Sequence, residues 1–403
     1  MFDRYVGISP KGDLLLLQLL AAKLHNRSFL HINSTRAGGG VAEILQQMIP
    51  VLKELGIDVR WEVIEGDPVF FDITKKVHNS LQGNPEKITD KMWQYHYETN
   101  KKNAENLNLD ADAVIIHDPQ PAPLIEFKKR GLWIWRCHID MSNPQMQVWN
   151  SLSRYIKKYD ATIFSVAKFA RAIPIDKFII TPSIDPVSEK NRELTDREIQ
   201  ETLDKFQIPL DKPIILQVSR FDRFKDPVGV VQAFRIIKKY NDCLLILAGS
   251  PAIDDPEGDI VLKEVKEYAA NDPDICILLL PPFSDKDINA LQRIATVILQ
   301  KSVKEGFGLT VSEAMWKGKP VIGGAVGGIP LQIIHGVTGF LVNSIEGAAF
   351  RIRQLLNNPE LAREMGEKAK EYVRNNFLIT RQMRDYLCVW YFLGNKGRNI
   401  LEL

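Results

Sequence analysis

The sequence predicts an α/β protein of two doubly wound, Rossmann-like domains facing across a cleft. The first observation is a strand, glycine loop, helix, strand series over residues 28–64, which is how a doubly wound sheet opens. The second is a break near Pro182-Ser-Ile-Asp-Pro186, after which residues 187–210 are charged and helical with no strand. The third is a second strand series with helices between, at 213–220, 244–249, 275–280, 297–300, 320–323 and 339–342. These place an N-terminal domain at 1–190 and a second at 191–376. A helical segment, 377–403, carries Tyr386, Trp390, Tyr391 and Phe392, and is expected to pack back on the first domain or to offer a dimer surface.

Taken in order, residues 14–22 are apolar but too short to span a bilayer, and charged flanks favour an amphipathic helix over a signal peptide. Val41, Ile44, Leu45, Met48, Leu52 and Leu55 recur at helical spacing, and Gly56 is placed to end that helix. The preceding Gly38-Gly39-Gly40 is consecutive, so it is not the spaced dinucleotide fingerprint. Residues 67–110 read as polar-faced helix. The strands at 113–118 and 132–140 end on His117-Asp118-Pro119-Gln120 and on His138 and Asp140, where such a fold builds its site. Strands at 161–166 and 178–181 complete the first sheet.

Composition narrows the function classes. An apolar fraction of 45%, a charged fraction of 25% and a net charge of +2 describe an ordinary soluble chain, with no basic run suited to nucleic acid or membrane. Cys137, Cys243, Cys276 and Cys388 are scattered without metal-site spacing, which suits free thiols in the cytoplasm.

The most informative stretch follows the strand at 296–300. Gly306 and Gly308 form a tight loop, and Leu309–Lys317 leaves it as a helix that Gly318 ends. A helix start favours anions, while Glu305 and Glu313 supply acceptor-only groups, so the pattern suits a ligand with both phosphate and hydroxyls. The spacing alone also fits two solvated glutamates around a plain turn. Arg220 and Lys225 close another strand and would neutralise a diphosphate, and Ala325-Val-Gly-Gly-Ile-Pro330 is a third glycine loop.

The chain resembles the retaining GT-B glycosyltransferases of the glycogen synthase/sucrose synthase-like family numbered four. The resemblance rests on Glu305-x7-Glu313, the Arg220/Lys225 pair and the Gly38–Gly40 loop. His117-Asp-Pro-Gln120, Trp135-Arg-Cys-His-Ile-Asp140, Pro182–Asn191 and residues 297–330 are similar to glycosyltransferring trehalose synthases, near relatives of trehalose phosphorylases. One departure is Leu331-Gln332, where many superfamily members have Glu directly after the Gly-Gly-x-Pro turn.

The resemblance implies roles. Arg220 and Lys225 would take the donor diphosphate, Glu313 the ribose, and Glu305 the donor sugar beside the backbone of Gly306, Phe307, Gly308 and Leu309. Gly39 and Gly40 would close over the phosphates, His138 and Asp140 would lie near the anomeric carbon, and His117, Asp118 and Gln120 would face acceptor glucose. The expected reaction is reversible glucosyl transfer from UDP- or ADP-glucose to glucose, giving trehalose. No tightly bound cofactor or metal-ligand cluster is expected, and Mg2+, where it takes part, would ride on the nucleotide. The alternatives are a phosphorylase using glucose 1-phosphate and phosphate, or a non-catalytic sugar-nucleotide sensor.

Overall fold

A computed structural model describes residues 2–36, 39–249, 256–281 and 283–397. The chain divides into two units, Met1–Ser183 with Ile379–Leu403, and Ile184–Leu378.

The first unit starts with α1 (Lys11–Lys23), which buries Leu14, Leu17, Leu20 and Ala21. Next come β1 (Ser28–Asn33), α2 (Gly40–Glu54) and β2 (Asp58–Val63), with Gly39 as the N-cap of α2. The polar stretch divides into α3 (Pro68–Leu81), capped by Asp67, and α4 (Asp90–Asn106), capped by Thr89. Strands β3 (Ala113–His117) and β4 (Leu132–Cys137), helix α5 (Met146–Ile156), then β5 (Ala161–Phe164) and β6 (Asp176–Ile179) follow. The sheet is parallel, in the order β2-β1-β3-β4-β5-β6.

Several strand ends differ from the sequence reading: β5 stops two residues before 166, and two other differences have a clear cause. β4 stops at Cys137 rather than 140, because the His138 amide leaves the ladder and donates to Asp118 Oδ1 at 2.7 Å. β6 lies two residues early, its alternate positions 176 and 178 half-buried and 177 and 179 exposed, as an edge strand allows.

The second unit holds α6 (Asp196–Phe206), started by a Thr195/Glu198 capping box, β7 (Ile214–Val218) and α7 (Pro227–Lys238). It continues with β8 (Leu244–Gly249), α8 (Pro256–Ala269), β9 (Ile275–Leu279), α9 (Asp285–Ile294) and β10 (Val297–Gln300). Then come α10 (Leu309–Trp316), β11 (Val321–Gly324), the short α11 (Ile329–Gln332) and β12 (Gly339–Val342). Two tail helices close the unit, α12 (Ile345–Leu356) and α13 (Pro359–Asn376), separated at Asn358, which caps α13 with its side chain. The parallel order is β12-β11-β10-β7-β8-β9. Strand order therefore reverses between β7 and β10, as it does between β1 and β3 in the first unit. Ligand crevices lie at the carboxyl ends of strands flanking such a reversal.

The final helix, α14 (Ile379–Gly394), belongs to the first unit, as the sequence suggested. It packs on α1 and α2 and covers the sheet face that carries Phe29 and His31. Trp390 stacks on Phe29 with centroids 3.7 Å apart, Arg384 pairs with Asp13, and Thr380 donates to Ser9. Among the described residues, no helix is long and apolar enough to cross a membrane.

Trp390 is 2% exposed. Its replacement by Ala should cost about 3–5 kcal/mol of stability, measured as a shift of the urea midpoint at unchanged slope.

Candidate active site

In the second unit, two loops leave the sheet at its reversal point. The loop after β7 runs through Arg220 to a short 3-10 turn, Arg223–Lys225, that ends at Asp226 in left-handed backbone (φ 51°). Asp226 caps α7 through Gly229, pairs with Lys301 from the end of β10, and so fixes the residue beside Lys225. Gln217 Nε2 also donates to the Lys225 carbonyl at 2.8 Å. Lys225 Nζ meets Glu305 Oε2 at 2.6 Å, and both side chains are largely buried. Arg220 is 58% exposed, with Nη2 3.5 Å from Asp222.

The loop after β10 is shaped by a neighbour. Gly327, at φ +56°, lies so close to it that a Cβ there would fall 1.7 Å from the Glu305 carbonyl oxygen. Gly328 donates to the Gly306 carbonyl at 2.9 Å. Gln332 Nε2 donates to the Phe307 carbonyl at 2.6 Å, and its Oε1 accepts from Ser312 Oγ at 2.6 Å. Gly308 then turns left-handed (φ +83°) as N-cap of α10, with no side chain capping that N-terminus. Its first amides are thus presented on the side of Glu305, whose Cγ would lie 3.2 Å from a Cβ on Gly308.

Glu313 is buried on α10, with Lys190 Nζ 3.8 Å from Oε1. Next to it, Lys317 donates to Asn191 Oδ1 at 3.0 Å and to the Glu313 carbonyl at 3.2 Å. Burial pushes the Lys317 ammonium down to about 7, against the attraction of Glu313.

In the first unit, the residues at the ends of β3 and β4 converge. His117 Nδ1 lies 3.1 Å from His138 Nε2, and His117 Nε2 lies 3.0 Å from His31 Nδ1. Burial holds all three imidazoles below their ordinary range, His31 at about 3. The buried Arg136 guanidinium adds to this at His117 and His138. Asp118 adopts φ 65°, which turns its carboxyl back onto the His138 amide, and burial raises its pKa to about 7. The Gln120 carbonyl accepts from His96 Nε2 at 2.8 Å and Asn100 Nδ2 at 3.0 Å. Asp140 Oδ1 accepts from the Ser142 amide, closing its own turn. Gly39 and Gly40 lie at the start of α2; Gly38 lies outside the described residues.

Comparison with known proteins adds the family. Residues 31–171 match a model described as the trehalose synthase N-terminal domain, and 198–372 one described as glycosyl transferases group 1. A trehalose synthase from Thermococcus litoralis is 48% identical over 392 residues, 96% of this chain and 95% of that one. The chain belongs to the trehalose synthase family of glycosyltransferases. A trehalose synthase from Rubrobacter xylanophilus is 43% identical over 92% of each chain. The fold is similar to that of a UDP-forming alpha,alpha-trehalose-phosphate synthase from Burkholderia xenovorans, with TM-score 0.72, 14% identity, and 90% of this chain and 99% of that one covered.

Within this glycosyltransferase, the structure brings Lys225, Glu305 and the Gly306–Leu309 turn together in one unit, and His117, Asp118 and His138 together in the other. Sequence reasoning passed over three kinds of residue. His31 is by pattern one residue of a strand, and its only sequence signal is a histidine inside an apolar run on a buried sheet. His96 and Asn100, four apart on α4, carry their signal in helical spacing alone. Lys301 and Asp226 are 75 positions apart, and nothing local links them. Among the described residues, no group of three or more His, Cys, Asp or Glu is arranged to hold a metal.

Two outcomes follow from this geometry. Gly327→Ala should destabilise by about 1–3 kcal/mol and raise the donor KM, because Glu305 must move; calorimetry with donor titration measures both. His96 is held down to about 4, chiefly by burial, so the unfolded chain takes up that proton first as pH drops below 6.5. Stability is therefore lost from about pH 6.5 down to about 4. Asp118 acts in the opposite sense, its contribution falling as pH rises from about 4 to about 7. His96→Gln should flatten the acid limb by up to about 1.4 kcal/mol per pH unit, read from urea unfolding at stepped pH.

Proposed function

We propose that this glycosyltransferase moves glucose from a nucleoside diphosphate glucose to free glucose, forming trehalose with retention at the anomeric carbon, and runs in both directions. The observation that carries the reading is the reversal point of the second sheet, where Lys225, Glu305 and an uncapped helix N-terminus meet. A cation, a carboxylate and free amides in one place suit a ligand with phosphate at one end and hydroxyls at the other. The names of the family's curated relatives supply the product.

Lys225 has three donor protons, so it can keep Glu305 and still reach a phosphate oxygen. Arg220, exposed and on a short loop, would close on the same diphosphate. Glu313 would accept from the ribose hydroxyls and Glu305 from the donor sugar, with the amides of Gly306–Leu309 beside them. His138 and Asp140 would orient the reacting sugar and Asp118 and Gln120 the acceptor, while His117, whose two ring nitrogens are taken by His31 and His138, would act through His138 rather than face the acceptor itself. The acceptor hydroxyl oxygen attacks the anomeric carbon from the face that the diphosphate leaves. The bond to the diphosphate oxygen breaks, and that oxygen takes the hydroxyl proton. The protein stabilises the departing charge and aligns the partners. Mg2+, where used, is held by the nucleotide's phosphates. The four unpaired cysteines, two of them fully buried, suit a reducing cytoplasm.

The protein is incubated with glucose and, separately, UDP-glucose, ADP-glucose or glucose 1-phosphate, and products are followed by chromatography. Trehalose with free nucleoside diphosphate is expected, and the active donor names the base. Trehalose from glucose 1-phosphate alone would make the protein a phosphorylase; donor binding without product would make it a sensor. Arg220→Ala and Lys225→Ala should each lower turnover on the order of 100-fold. A near-normal rate in either removes that residue from the diphosphate site.

A further inference from the structure

The sheet register sets a polar row into the buried face beneath α14. His117 is the cross-strand partner of Arg136, and His31 pairs with Ile115, two residues before His117, so all three side chains share one face. Tyr386 and Trp390 of α14 cover His31, at centroid distances of 6.1 and 6.0 Å. His31 and His117 are buried and His138 is half-buried. The rings are nearly parallel in sequence, 24° between His31 and His117 and 19° between His117 and His138.

Three neutral imidazoles joined by two N···N hydrogen bonds have only two consistent proton arrangements, because each bond needs one N–H and one lone pair. In one, every ring carries its proton on Nδ1, which leaves a bare lone pair on His31 Nε2 and makes His138 Nδ1 a donor. In the other, every proton sits on Nε2, and His138 Nδ1 is an acceptor. The inner end decides between them. His31 Nε2 is buried without a hydrogen-bond partner among the described residues. Trp390, which covers that ring, has its own Nε1 buried without a partner among the described residues. A bare lone pair is favoured beside an unpaired N–H, whereas a second buried orphan N–H is not.

We propose that His31 and His117 are positioning residues that fix the tautomer of His138, so that it presents Nδ1–H as a neutral hydrogen-bond donor to a sugar oxygen. The sugar as ligand rests on the transfer reading above; the tautomer does not. Because the inner end is closed by α14, the row holds a proton in place and gives it no exit. His138 then orients a sugar without acting as an acid.

Long-range 15N–1H correlation on 15N-histidine protein, assigned with single-histidine variants, reads each tautomer without any activity. Wild-type His138 and His117 protonated on Nδ1 are expected, and His138 protonated on Nε2 overturns the proposal. His31→Leu should release the His138 tautomer and lower kcat about tenfold, the worth of one neutral hydrogen bond, with little change in donor KM. His31→Asn, which puts an amide N–H near the Nδ1 position, should restore most of both. Equal kcat in the two variants, or an unchanged His138 tautomer in His31→Leu, also overturns it. His31→Asn and wild type suffice should His31→Leu fail to fold. A wild-type enzyme that forms no trehalose yet shows the Nδ1 tautomer would refute the transfer reading alone.

Discussion

The second unit depends on one close backbone approach, that of Gly327 to the Glu305 carbonyl. Only a residue without Cβ lets two strand-end loops lie in contact, and the contact decides where Glu305 sits. From there the order is forced. Glu305 takes Lys225, Gln332 holds the next carbonyl but one, and Gly308 turns the chain into α10 with its first amides uncapped. The sheet places the loops at the reversal between β7 and β10; the glycines bring them together.

The first unit solves a different problem. It buries imidazoles, a carboxyl and a guanidinium at the end of a parallel sheet, where unpaired charge is expensive. The histidines answer by staying neutral and pairing with one another. Asp118 answers with a left-handed backbone that brings its carboxyl to an amide, and with a raised pKa. Arg136 is fully buried yet, among the described residues, donates only to Ser165 Oγ and the Ile180 carbonyl. Its remaining field is part of why the neighbouring histidines resist protonation.

Much of this was legible in the sequence because it is local. Strand, glycine loop and helix follow one another within a few residues, so the two sheets, the Gly306–Gly308 turn and the strand-end positions of His117, His138 and Arg220 could be read from spacing. What escaped is long-range. His31 meets His117 across 86 positions, and Lys301 meets Asp226 across 75. No periodicity encodes such pairs; only strand order does. The early end of β4 escaped for a related reason, since apolar pattern continues through Ile139 while the His138 amide has already turned to Asp118, just past the end of β3.

The sequence departs from the wider superfamily at Leu331, where a glutamate is common. Leu331 is 38% exposed, and its backbone carbonyl accepts from Tyr372. The next side chain, Gln332, is the one that reaches into the turn. It donates to Phe307 and accepts from Ser312 at once, and only a carboxamide has both capacities at that reach. A carboxylate at 332 could accept from Ser312 but would leave the Phe307 carbonyl without its donor. The departure therefore falls beside the contact that shapes the turn, and the turn's own support is a neutral amide whose two ends are both used.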